Sequence, residues 1–344
     1  VKAARIHQHG NPSDIQIDDV EPPEPGPEDV LIDVRAAGLN HLDLWVLQGV
    51  PGVEGDFPQI LGSDACGIVR ETGAEVDSVR TGDRVVVNPG RSCDRCAMCR
   101  RGQQSQCDSF YLLGEHADGL FAERVALPAS SLYPAPDHLS DAEAAAFPLV
   151  FVTAWRMLIE RADLQPGERV LIHGIGGGVA GAALQIAEAL GAVCLVTSSS
   201  DEKLDRAASL GTAEGIHYTD QDVAGTVLSW TDGRGVDVVV DTVGADTWAI
   251  SQKCARSGGR IVTCGATSGP SPETNVNRIF WKQLSILGST MGSYENFDRM
   301  LEWVCGSGVS PVMDRVFDFE EVQQAEQRLA GGEQFGKIVL DISS

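Results

Sequence analysis

The sequence predicts an α/β protein in which a β-rich first part is followed by a doubly wound parallel sheet with covering helices. Three observations carry this. From Val1 to about Leu127, short β-rich runs ("VLIDVRAAGL", "GIVRETG", "DRVVVNPG", "AERVALP") are broken repeatedly by glycine and proline, the rhythm of an all-β or barrel-like module. Further on the rhythm becomes strand, turn, helix in "ERVLIHGIGGGVAGAALQIAEALGA" and again in "VCLVTSSSDEKLDRAASLGT", with "GVDVVVDTVG", "GGRIVTCGAT" and "LSILGST" as further apolar strands. That alternation marks a parallel sheet. At 344 residues the chain also exceeds the size at which one core stops growing, so two domains are expected.

Along the chain, "EPPEPGPED" (21–29) reads as a turn-rich connection inside the first module. "HLSDAEAAAFPLVFVTAWRMLIE" reads as two helices. Beyond about Thr290 come an amphipathic helix ("YENFDRMLEWVCGSG"), a second helix ("FDFEEVQQAEQRLAGG") and a final strand, "GKIVLDI". The predicted division is 1–147, 148–285 and 286–344, the last finishing the parallel sheet and returning to the first domain.

Composition narrows the function. Hydrophobic residues make up 43% of the chain and low-complexity stretches are lacking, so the protein is globular. "VKAARIHQHG" has no apolar core of the signal-peptide kind, and "AFPLVFVTAW" (146–155) is too short to cross a bilayer. A soluble, cytoplasmic protein is expected. Acidic residues number 49 against 26 basic ones, a formal charge of −23, and only five of the basic residues are lysines. Such a field repels nucleic acid and anionic membranes. It is what a surface adapted to high salt looks like, since screening removes the self-repulsion; the plainer alternative is an acidic mesophilic enzyme.

Gly174, Gly176, Gly177 and Gly178 form a turn between a strand and a helix that starts near Val179, with Ala180 and Gly181 facing the sheet. Glycines here let the backbone approach a pyrophosphate, and the helix N-terminus offers amide donors and a favourable dipole. The plain alternative is a turn that only packs helix onto sheet. At the end of the next strand, where an acid would hold the ribose of NAD, stand Ser198, Ser199 and Ser200, with Lys203 one turn into the helix. Three hydroxyls and a lysine suit the 2′-phosphate of NADP(H). Two other readings stand beside it: Asp201 reaches back to the ribose, or Ser200 is only an N-cap.

Cys93, Cys96, Cys99 and Cys107 have the spacing C-x2-C-x2-C-x7-C, which suits four thiolates converging on Zn²⁺. Four sulfurs leave no open position, so the site is expected to brace structure. An iron–sulfur cluster is the smaller competitor. Cys66, Cys194, Cys254, Cys264 and Cys305 are read as buried thiols.

With these motifs in view, the chain resembles a medium-chain dehydrogenase/reductase, the superfamily of zinc alcohol dehydrogenases and quinone oxidoreductases. "AAGLNHLDLW", "ILGSDACGIV", the cysteine lobe, "PLVFVTAW", "VLIHGIGGGVAG", "VDVVVDTVG", "GGRIVTCGATSG" and "FGKIVL" follow one another in family order across essentially the whole length. The resemblance implies a GroES-like β-rich catalytic domain, a Rossmann domain, and subunits that pair through the Rossmann sheet as a homodimer or homotetramer. It adds Thr153, Val179, Cys264, Gly265 and Ala266 to the cofactor-binding positions.

The chain departs from its zinc-dependent relatives where they carry catalytic ligands. Asn40 stands in place of a cysteine, Ser63 and Asp64 in place of a His-Glu pair, and Leu149 near the third ligand. Asparagine, serine and leucine are poor zinc ligands. Without zinc to polarise an oxygen, substrates must accept hydride readily, as quinones and activated enones do. The resemblance places Asn40, His41, Asp43, Trp45, Ser63, Asp64 and Thr153 near a cleft that receives the nicotinamide. Asn40 and Ser63 are candidate donors to a substrate oxygen, and His41 or Asp64 a candidate proton relay. The ordinary alternatives are that Asn40 and Asp43 fix a turn, Trp45 packs in the core, and His41 is a surface imidazole. Phe280 and Trp281 either wall the site or belong to a subunit interface.

The leading expectation is an NADPH-dependent reductase of quinone- or enone-like carbonyl compounds with one structural zinc. A second is a zinc-dependent alcohol, aldehyde or sugar dehydrogenase whose metal is held by His41, Asp64 and His116. A third is a nucleotide-binding protein without turnover.

Overall fold

The computed structural model describes residues 1–49 and 56–343. It divides into two compact units: Val1–Leu149 with Gly292–Ser344, and Val150–Met291.

The first unit is built on a seven-stranded sheet ordered Leu132–Pro134, Arg84–Val87, Asp64–Thr72, Asp29–Gly38, Lys337–Asp341, Met313–Asp318, with Arg124–Pro128 also pairing with Asp29–Gly38. Pairing is antiparallel except between Met313–Asp318 and Lys337–Asp341. The long Asp29–Gly38 strand runs as "DVLIDVRAAG" and is buried along most of its length, with strands paired on both edges and the Asp141–Ala146 helix packed against it. Ile32, Leu47, Leu61 and Phe121 lie in its fully enclosed core.

Two short helices border the residues of interest. His41–Gln48 is started by Asp43, whose carboxylate accepts the Asn40 amide at 2.7 Å, and it stops at Gly49 with φ 94°. Asp141–Ala146 opens with a reciprocal box: the Ser140 amide donates to Glu143 at 2.8 Å and the Glu143 amide to the Ser140 hydroxyl at 3.3 Å. The expected helix pair is observed, and the second helix, Pro148–Trp155, runs on as a π-helical segment, Arg156–Arg161.

The second unit is a six-stranded parallel sheet in the order Glu214–His217, Val193–Ser198, Arg169–Ile172, Val236–Asp241, Ala255–Thr263, Ser285–Gly288. Every residue of "VDVVVD" is buried, as expected of a central strand covered by helices on both faces. The order reverses beside Arg169–Ile172, which creates a crevice at the carboxyl ends of the strands. The unit closes at Met291, and Ser285–Gly288 is the terminal strand of its sheet.

One expectation about the cysteines is corrected. Cys66, Cys194 and Cys254 are buried and Cys264 is half-buried, but Cys305 is exposed, because it lies on the polar face of the Tyr294–Ser307 helix, whose buried side is Asn296, Phe297, Met300 and Val304.

Candidate functional site

Two short 3-10 turns, Cys99–Arg101 and Gln104–Gln106, fold the cysteine segment back on itself, the first ending at Gly102 with φ 71°. All four sulfurs lie within 4.8 Å of one another. Separations are 3.5 Å for Cys96–Cys99, 3.5 Å for Cys93–Cys107 and 3.9 Å for Cys93–Cys99. A thiolate tetrahedron around zinc has edges of about 3.8 Å, whereas a disulfide needs about 2.05 Å. The amides of Cys99 and Ser109 donate to the Cys96 and Cys107 sulfurs at 3.5 and 3.3 Å. The donor set fits one zinc ion.

In the second unit, Gly174 adopts φ 68°, a conformation glycine reaches without strain, and turns the chain out of the Arg169–Ile172 strand. Its amide donates to the Thr197 hydroxyl at 3.2 Å, the Ile175 amide to the Thr197 carbonyl at 3.0 Å, and the Gly177 amide back to Gly174 at 3.0 Å. Gly177 caps a helix that begins at Gly178, one residue before the expected Val179. Gly176, Gly177, Gly178 and Val179 remain half-buried, while Ala180 and Gly181 are buried against the sheet as expected. The first-turn amides have no intrahelical acceptors and suit an anionic oxygen.

Ser198, Ser199 and Ser200 follow from the adjacent strand. The Ser200 hydroxyl accepts the Lys203 amide at 3.4 Å and so is an N-cap; the Ser198 hydroxyl accepts the Ser200 amide at 3.2 Å. Both oxygens act as acceptors in these bonds, leaving each hydroxyl proton for a further partner. Ser199 is exposed and Lys203 half-buried, while the Asp201 carboxylate lies 3.9 Å from the His217 ring. Cys264, Gly265 and Ala266 leave the carboxyl end of Ala255–Thr263 half-buried, and burial pushes the Cys264 thiol up to about 12. The buried Thr153 hydroxyl donates to the Met291 sulfur at 3.7 Å.

The catalytic candidates of the first unit form a dense polar cluster. Asn40, Asp43, Ser63 and Asp64 are all buried. Asp64 accepts from the Leu149 amide at 2.8 Å, Asn40 Nδ2 at 2.9 Å and Lys337 Nζ at 3.3 Å. Lys337 also donates to Asn40 Oδ1 at 2.7 Å and to the Leu39 carbonyl at 2.6 Å. Asn40 is thus committed to protein partners, and Ser63 donates to the Leu113 carbonyl at 2.7 Å. Burial pushes Asp64 up and Lys337 down, toward their neutral forms; their mutual charge and hydrogen bonds act the other way. Burial also raises Asp43, to about 7.

His41 is the one candidate of this group that keeps partial exposure. Its ring meets Trp45 edge-on at 5.3 Å, and burial holds its imidazole below the usual value, hence neutral at pH 7. His116 stands apart, its Nδ1 3.4 Å from the Leu112 amide and 3.5 Å from Glu115. Among the described residues only the four cysteines bring three or more metal-ligand atoms together, so His41, Asp64 and His116 are not assembled as a metal site.

The sequence reading missed Lys337 and Glu326. Glu326 is fully buried, feels the charges of Asp43 and Lys337, and has no hydrogen-bond partner on either carboxylate oxygen among the described residues. A lysine inside the apolar run "GKIVLDI" of a lysine-poor chain was the available signal.

A dinucleotide-type crevice in a parallel six-stranded sheet, carried by a chain whose other unit holds a four-cysteine lobe, defines a nicotinamide-dependent oxidoreductase. Residues 26–137 match the alcohol dehydrogenase GroES-like domain and 178–305 the zinc-binding dehydrogenase domain. The chain is 31% identical to an acryloyl-coenzyme A reductase of Metallosphaera sedula, covering 96% of this chain and 97% of that one. It is also 31% identical to a quinone oxidoreductase of Pseudomonas aeruginosa, covering 98% and 99%. Among solved structures, an NAD-dependent alcohol dehydrogenase superposes with TM-score 0.95 at 40% identity, covering 99% of both chains. The chain belongs to the medium-chain dehydrogenase/reductase superfamily.

Proposed function

We propose that this protein is an NADPH-dependent reductase of quinone- or enone-like carbonyl compounds, with one structural zinc and no catalytic zinc. The observation that carries this is the surroundings of Asp64. Both of its oxygens are engaged, Asn40 is tied to Asp64 and Lys337, and a lysine ammonium lies 3.3 Å away, where it would repel a metal ion. With nothing at that position to polarise an unactivated alcohol, the reaction calls for a substrate that takes hydride readily.

In this reading the turn from Gly174 to Gly178 holds the pyrophosphate, Ser198, Ser199, Ser200 and Lys203 receive the 2′-phosphate, and Thr153, Val179, Cys264, Gly265 and Ala266 line the nicotinamide half. The bound cofactor supplies the hydride. His41, neutral and partly exposed, carries the proton that follows it, from water to the reduced oxygen or carbon. The cysteine lobe braces the first unit. Subunits pair through the free edge of the parallel sheet; Ser285–Gly288 is its terminal strand, and Val276, Phe280 and Trp281 are exposed on the helix that precedes it.

The test measures zinc per chain before and after mild chelation, with NADPH oxidation by a simple quinone followed on the same samples. One tightly held zinc and unchanged turnover is the expected result. Two zincs, with activity lost as the looser one leaves, would reject it in favour of the second reading, an alcohol dehydrogenase, which the 40%-identical relative favours.

A further inference from the structure

Asp201 and Glu202 open the Asp201–Ala208 helix directly after Ser198, Ser199 and Ser200. Carboxylates there repel a 2′-phosphate, and Asp201 is the acid that the NAD alternative needs for the ribose diol. What holds Asp201 therefore bears on which of the two cofactors is taken.

The sheet supplies a partner for it. Glu214–His217, Val193–Ser198 and Arg169–Ile172 are consecutive strands. Ser198 pairs with His217 on one side, while on the other the Gly174 and Ile175 amides bond to Thr197. His217 thus flanks the serines on the side away from the glycine turn. Gly215 turns toward Leu204 of the helix that Asp201 opens, and His217, two residues further along the strand, shares that face. Its Nε2 lies 3.9 Å from the Asp201 carboxylate, and its Nδ1 lies 2.9 Å from the Thr219 hydroxyl and 3.5 Å from the Asp220 carboxylate. When Thr219 donates to Nδ1, the neutral ring carries its proton on Nε2, facing Asp201; an imidazolium carries one on both nitrogens. The His217 side chain keeps 17% exposure and that of Asp201 88%, so both are open to solvent and to a ligand.

We propose that His217 is a specificity-determining residue for the dinucleotide: its ring holds the Asp201 carboxylate toward the edge strand and offsets its charge, which favours NADPH over NADH. It is a positioning residue, acting through Asp201. The assignment rests on the cofactor reading above and names what tunes the choice at the 2′ position.

Dissociation constants for NADPH and NADH would be measured by nucleotide fluorescence on wild type, His217→Asn, His217→Gln, Asp201→Asn and the double variant Asp201→Asn with His217→Asn. Cofactor-free unfolding temperatures would confirm that each is folded. His217→Asn keeps a polar atom near Nδ1 and loses the Nε2 donor, whereas His217→Gln keeps a donor near Nε2. Wild type should prefer NADPH, and His217→Asn should lower that preference about threefold, the scale of one exposed charge pair, with His217→Gln recovering most of it. Asp201→Asn should raise the preference, and in that background His217→Asn should change it no further. An unchanged preference in His217→Asn, or the same change with and without Asp201, overturns this assignment alone. So does an Asp201→Asn protein whose preference does not rise, a result that does not depend on any His217 variant folding. A wild type that binds NADH more tightly than NADPH overturns the NADP(H) choice and this assignment together, and one that binds neither overturns the cofactor reading as a whole.

Discussion

Replacing Glu326 with glutamine should stabilise the first unit at neutral pH. The Glu326 carboxyl is 0% exposed, has no hydrogen-bond partner on either oxygen, and shares its surroundings with Asp43, whose Oδ1 also lacks one. Burial, with the Asp43 charge adding to it and Lys337 opposing, holds its pKa well above the ordinary 4.5. The sign follows from linkage: an acid whose folded pKa is raised contributes stability that is complete below its unfolded pKa and is lost as pH rises toward the folded one. Each pH unit between the unfolded and the folded pKa costs about 1.4 kcal/mol. Glutamine has nearly the same shape and does not titrate. Urea midpoints followed by tryptophan fluorescence at about pH 5 and about pH 7 should show little difference between the two proteins at the lower pH and a clear gain for Glu326→Gln at the higher. Glu326→Leu should gain at both, since it also removes the buried polar group. A Glu326→Gln protein with the wild-type pH slope, or one destabilised at the higher pH, would refute the reasoning and show that the carboxylate is ionised and paired in the folded protein.

Cys99→Ser should release zinc and lower the unfolding temperature while hydride transfer persists in the molecules that remain folded; selective loss of turnover in a fully stable variant would contradict a bracing role. Trp281→Ser, 83% exposed in the single chain, should weaken subunit association by about tenfold or more in light scattering, with no change in the unfolding of the isolated chain. Raising potassium chloride from about 0.1 M to about 2 M should raise the unfolding temperature, because a net charge of −23 repels itself less when screened; a flat or falling response would favour the plainly acidic, non-halophilic alternative.

Features that depend on neighbours in sequence were legible. The Gly174 turn, the helix after it and the cysteine lobe are encoded within short segments whose residue types are dictated by backbone conformation or ligand chemistry. The Ser200 cap was legible as one of three readings, since the same hydroxyl serves a helix start and a phosphate and Asp201 beside it suits a ribose. Features assembled from distant segments were not. Lys337 meets Asn40 and Asp64 across nearly the whole chain, and nothing local marks Glu326 as buried, since the surrounding "VQQAEQRLA" reads as an ordinary polar helix. Exposure of a single cysteine turns on which helix face it occupies, and the apolar and glycine-rich neighbours of Cys305 do not disclose that face.

The position of the Lys337–Asp341 strand bears on how the chain is made. It lies inside the first unit's sheet, between Asp29–Gly38 and Met313–Asp318, and Lys337 bonds to Leu39 across 298 positions of sequence. While the residues between them are being synthesised, the first unit's sheet therefore lacks that strand and its buried Asp64 lacks its lysine. The second unit, contiguous from Val150 to Met291, has all its strands in hand much earlier. Folding during translation should run ahead in the second unit, and the Asp29–Gly38 strand, made well before Lys337–Asp341, should be among the last to find its final partners.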